Sequence, residues 1–159
     1  MDSTKALGIA AAIGAVAGLR SLMAPAAVSW AASSRKLDVE GPAVEWFASR
    51  TTAKVLMGLA IAELIADKLP FTPDRTEPAS LALRIVSGSL CGAAISSAAR
   101  ASTGMGALLG GMAAVAGAFA GIKLRETGDR EGLPALPVAL AEDAIAVGAG
   151  VAAASAVRS

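Results

Sequence analysis

The stretch "GLRSLMAPA", residues 18–26, decides how the first part of the chain is read. Arg20 stands inside a run from Ala6 to Ser34 that carries no other charge, and Pro25 follows it. Arginine keeps its charge at any accessible pH. Proline in a helix interior removes a hydrogen bond and clashes with the preceding turn. Without these two residues the run would read as one membrane-crossing helix, which needs about 20 apolar residues. With them it reads as one broken helix, or as a hairpin turning at Arg20.

The rest of the chain supports a membrane reading. Of 159 residues, 55% are hydrophobic and 17% charged, and the mean hydropathy is +0.62. This is too apolar for an ordinary soluble domain. The length suggests a single transmembrane domain, residues 1–159. A net charge of +1 offers no basic face for nucleic acid. The one cysteine, Cys91, lies in an apolar segment, so neither a disulfide framework nor a cysteine metal site is expected. Histidine and tyrosine are absent, which removes the commonest general base and the commonest metal ligand. No enzyme, no cofactor and no metal are expected.

Five apolar segments stand out: 6–34, 53–69, 79–99, 101–122 and 133–157. Only the fourth is free of charge. Alternation of polar and apolar positions is missing and alanine and glycine dominate, so helices are expected rather than strands. The fold class that follows is all-α, a polytopic transmembrane bundle of about five helices (four to six), packed through glycine and alanine. Lys5 followed by an apolar run resembles a secretory signal. Asp2 offsets its charge and the apolar stretch resumes after Arg20, so a retained helix is expected.

The connections carry their own signals. Residues 37–50 are polar and then amphipathic, with Val44, Trp46 and Phe47 set against Glu45 and Ser49. A helix lying in the membrane interface is expected there. Trp30, Trp46 and Phe71 fall near segment ends, as interfacial aromatics do. With five spans the lysines and arginines outside the membrane divide six and six, so the positive-inside rule gives no orientation.

Glycines recur four residues apart at Gly14 and Gly18, Gly88 and Gly92, Gly106 and Gly110, and Gly117 and Gly121. Helices gain no hydrophobic attraction for one another in lipid, and small residues let their backbones pack closely instead. These faces serve packing within one bundle, assembly of a homo-oligomer, or both.

The embedded charges are the most informative feature. A charge at the centre of a membrane helix costs about 2.5–3.5 kcal/mol. Arg20, Glu63, Glu142 and Asp143 unpaired would cost on the order of 10 kcal/mol, comparable to a protein's whole stability. Arg20 therefore needs Glu142, Asp143 or Glu63 as partner, and the remaining acids face water, a cation or protons. Glu63 and Asp67 lie one turn apart on one helix face. Ser21 helps satisfy backbone groups freed near Pro25. Arg84, close after Pro78, is expected to snorkel to the interface. A short echo links "GLRS" (18–21) with "ALRI" (82–85) and "AIAE" (60–63) with "ALAE" (139–142), as in transporters built from two related halves.

"GLRSLMAPAAVSWAA" (18–32), "ADKLPFTPDRTEP" (66–78) and "RIVSGSLCGAAI" (84–95) together resemble a family of small uncharacterised bacterial membrane proteins, a domain of unknown function. The resemblance covers most of the chain. It implies a multi-pass protein of the bacterial inner membrane and supplies no activity.

Two functions compete. The first is a transporter or channel for a small solute or ion, with Arg20, Ser21, Pro25, Glu63, Asp67, Glu142 and Asp143 forming a charged site at mid-membrane. The second is a structural or accessory protein whose buried charges serve as a packing salt bridge. The expected partners are the lipid bilayer, a second copy of the chain and a small solute or ion.

Overall fold

The computed structural model describes residues 2–66, 78–132 and 135–156, the side chains of 129, 135–139, 142 and 154 excepted. Among the described residues six α-helices follow one another: α1 (Ser3–Leu19), α2 (Met23–Ser33), α3 (Arg50–Ala66), α4 (Pro78–Ala98), α5 (Thr103–Arg130) and α6 (Ala135–Ala156). No strand occurs among the described residues. The fold is an all-helical bundle, and the first apolar segment supplies two of its helices. Among the described helices, α4 and α5 are long and apolar enough to cross a membrane.

Glycine contacts fix how α1, α4 and α5 run. Gly14 lies against Gly110, and Gly18 against Ala114 and Ala118, so α1 and α5 are parallel. Gly88 lies against Gly110 and Ala114, whereas Gly92 lies against Gly106 and Gly110, so α4 and α5 are antiparallel. A Cβ on Gly14 or Gly18 would strike the carbonyl oxygen of Gly110 or Ala114. Backbone cannot retreat as a flexible side chain can, so these positions admit only glycine. The expected small-residue seam is therefore consumed within the chain at Gly14, Gly18, Gly88, Gly92, Gly106, Gly110 and Gly117; Gly121 is also buried.

The first segment is a hairpin. Gly150 of α6 sits 3.6 Å from both Val16 on α1 and Ala27 on α2, taking the Cβ it would carry. Val16 precedes the turn and Ala27 follows it, so α2 returns alongside α1. Beyond α2, Glu40 exchanges two hydrogen bonds with Ser97, near the end of α4 and beside the start of α1. A path continuing past the turn could not reach Ser97, because seven extended residues from Ser33 span at most about 25 Å. Thus Ser3, residues 34–49 and the α4–α5 turn share one end of the bundle, called here the N-terminal end.

Residues 37–50 form less helix than their amphipathic pattern suggests. A single 3₁₀ turn, Glu45–Ala48, is present. Leu37, Val39, Val44 and Phe47 are buried against the bundle, while Trp46 stays half-exposed and stacks on Phe47. Ser29 on α2 donates to the Phe47 carbonyl at 2.8 Å, tying this cap to the hairpin. The backbone thereby finds tertiary partners that an isolated interfacial helix would not need.

Candidate functional site

The hairpin turns at Arg20–Leu22. The last helical bond of α1 runs from the Arg20 N–H to the Val16 carbonyl, and Arg20 itself is extended. Pro25 is not the break. It occupies the third position of α2, where a backbone N–H would have no partner within the helix, so the ring is tolerated. The break belongs to Arg20 and Ser21, and Pro25 helps start the second helix.

Two helix ends now meet inside the protein. Each leaves backbone groups unsatisfied and a partial charge, negative at the C-terminus of α1 and positive at the N-terminus of α2. Each end receives a side chain of opposite sign from another helix. Glu63 on α3 accepts from the N–H groups of Ser21 (2.8 Å) and Leu22 (2.9 Å) through its two carboxylate oxygens. Arg84 on α4 donates Nη1–H to the carbonyls of Gly18 (2.5 Å) and Leu19 (3.0 Å). Its Nε–H reaches the Ser80 hydroxyl at 3.4 Å.

Between them lies an ion pair. Arg20 Nη2 meets Asp143 Oδ1 of α6 at 2.5 Å, with the arginine side chain 1% exposed. The low-dielectric surroundings strengthen such a pair and make removal of either partner costly. Arg20, Glu63, Arg84 and Asp143 thus gather around one turn, contributed by four separate elements and paired in sign.

Several expected site residues stand differently. Glu63 holds the α2 N-terminus through backbone N–H groups rather than serving as the Arg20 partner. Ser21 contributes its backbone N–H. Asp67 lies outside the described residues, and the Glu142 side chain is likewise undescribed. Arg84 does not snorkel: it is buried, 5% exposed, with its head on the α1 carbonyls. Its role was missed because proximity to Pro78 suggested a surface position. The signal that marks it is the "LRS"/"LRI" echo with Arg20.

The extent of the fold matches a known domain. The family described as "Domain of unknown function (DUF4126)" matches residues 7–156. The chain belongs to this family. The match takes in all six helices almost whole, including the hairpin and each of the four charges at its turn. No curated protein and no solved structure matches the chain.

Proposed function

We propose that this DUF4126 protein is a multi-pass membrane protein that passes a small solute or ion across the bilayer at the hairpin turn. Three features support the membrane part. The interior is rich in alanine, glycine, serine and paired charges, with larger residues such as Ile13, Val16, Val28, Phe47 and Ile95 among them, while many large apolar side chains face outward. Val55, Leu59, Ile61 and Ile65 on α3, Met105, Leu108, Met112 and Phe119 on α5, and Ile145, Val147 and Val151 on α6 are all exposed. Water would oppose that arrangement and lipid favours it. Helices α4 and α6 are about 32 Å long at 1.5 Å per residue, close to the roughly 30 Å hydrocarbon core. The hairpin also moves Lys5 to the end holding Arg35, Lys36, Arg50, Lys54 and Arg100. Lys123, Arg125 and Arg130 lie toward the other end among the described residues. Among the described residues the N-terminal end thus carries the larger share of the cations, which supports a reading with that end in the cytoplasm.

The observation that carries the transport reading is the meeting of two helix ends within the bundle at Ser21, with Arg20–Asp143 beside them. Transporter sites are commonly made where helices break near mid-membrane, because the exposed backbone groups bind ions and charged solutes. Helices α1 and α4 begin the two halves of the chain and run in opposite directions, as in transporters with inverted repeats. Glu63 and Arg84 hold the positions that an anionic and a cationic solute group would take, so they act as exchangeable stand-ins.

The matched signs of all four charges favour a second reading, a structural staple that fixes the bundle. Proteoliposomes containing the full chain separate the two. Solute-dependent or ion-dependent flux, lost in Asp143→Asn without loss of assembly, supports transport. Flux equal to that of empty liposomes, together with destabilised assembly in the same variant, rejects it in favour of the staple.

A further inference from the structure

The structure assigns a binding site for an anionic phospholipid to the cleft between α2, α3 and α6 at the N-terminal end, a reading of ours that rests on the membrane placement above and not on transport. Helix α2 forms the floor and α3 and α6 the walls. Met23, Ala27, Trp30, Met57, Ile61 and Val151 are among the lining residues of a cavity of about 410 Å³, with Lys36 at its polar end. Pockets for small ligands occupy roughly 300–1,000 Å³. From Met23 to Ser33 the floor runs about 15 Å, half the thickness of a hydrocarbon core. One acyl chain lying along the inner leaflet matches that length.

A second cavity of about 390 Å³ adjoins it at Trp30, whose ring borders both. Its other lining residues are Ser33, Ser34, Arg50, Ala53 and Lys54. Among the described residues no carboxylate lines either cavity. The apolar slot therefore opens onto three cations, with the Ser33 and Ser34 hydroxyls beside them, at the level of the headgroups. Arg50 and Lys54 lie one turn apart on α3 and are exposed, so no ion pair of their own shields them in the described contacts. An amphiphile with one apolar chain region and a phosphate satisfies both parts together. A second copy of the chain would need an acidic segment to do so.

The test uses the full chain in a neutral detergent, titrated with short-chain phosphatidylglycerol and phosphatidylcholine and read by native mass spectrometry. Phosphatidylglycerol is expected to bind at least about tenfold more tightly, given the contribution of each surface cation to anionic lipid binding. The double variant Arg50→Ala/Lys54→Ala should bring it to within about fivefold of the phosphatidylcholine level, the preference that Lys36 alone supplies. Ile61→Trp, at an exposed wall position, should weaken both lipids by filling the slot. Glycerophosphate, which lacks chains, should not displace bound lipid. Equal binding of the two lipids, unchanged binding in the double variant, or full displacement by glycerophosphate would each overturn the site. Failure of the membrane reading has a different sign: the chain would stay monodisperse with all detergent removed.

Discussion

Replacing Glu63 tests the hairpin turn most directly. Its carboxylate accepts the Ser21 and Leu22 N–H groups, the first donors of α2. Hydrogen bonds to a charged group contribute about 1.5–3 kcal/mol each, and an anion at a helix N-terminus adds about 0.3–1 kcal/mol. Glu63 is only half-buried, so water partly replaces what it provides. The net loss for Glu63→Ala is therefore about 2–4 kcal/mol, a large share of a stability of about 5–15 kcal/mol. Glu63→Gln keeps one acceptor oxygen but turns its amide N–H groups toward the second donor, so its loss should fall about midway. Unfolding in mixed micelles, followed by the fluorescence of Trp30 and Trp46, ranks the three proteins. Trp30 is a good reporter because it lies on α2, the helix whose start is being released. A Glu63→Ala protein within about 0.5 kcal/mol of the parent would refute the reasoning, since that is the scatter of neutral surface changes. So would a Gln variant less stable than the Ala variant.

Two further outcomes test the packing and the chain reversals. Gly14→Ala should abolish assembly, because its Cβ meets the Gly110 backbone, whereas Gly8→Ala, with open space around it, should be tolerated; size-exclusion profiles in detergent compare them. Arg100 follows α4 in the left-handed conformation at φ 55°, with the Ala101 N–H closing onto the Ser96 carbonyl. Arg100→Gly relieves a strain of about 1 kcal/mol and should raise the melting temperature, and a lower one would show that the cation's interaction with the helix end outweighs that strain.

Much of the architecture was legible in the residues themselves. Apolar segment lengths and the absence of alternation determine a helical bundle, and glycines spaced by four mark where its helices touch. The charge of Arg20 in an apolar run likewise determines that a carboxylate must come to it, because leaving it unpaired costs several kcal/mol. These are local or compositional quantities, carried by each segment alone.

Which carboxylate answers Arg20 is not such a quantity. Glu63, Glu142 and Asp143 were equal candidates by type; that Asp143 reaches Arg20 depends on the register of α6 against the hairpin, and that Glu63 is turned to the α2 N-terminus depends on the placement of α3. Arg84 shows the same limit: its distance from Pro78 points outward, yet the close glycine packing of both α1 and α4 on α5 brings the two near enough for its head to reach the Gly18 carbonyl. Hairpin or broken helix was equally open from residues 18–26, since Arg20 and Pro25 interrupt a helix without saying where the chain goes next. Tertiary contacts decided it, because only a return of α2 beside α1 places Val16 and Ala27 against one glycine of α6. Sequence sets which groups must find partners, and the packing of distant helices selects which partners they find.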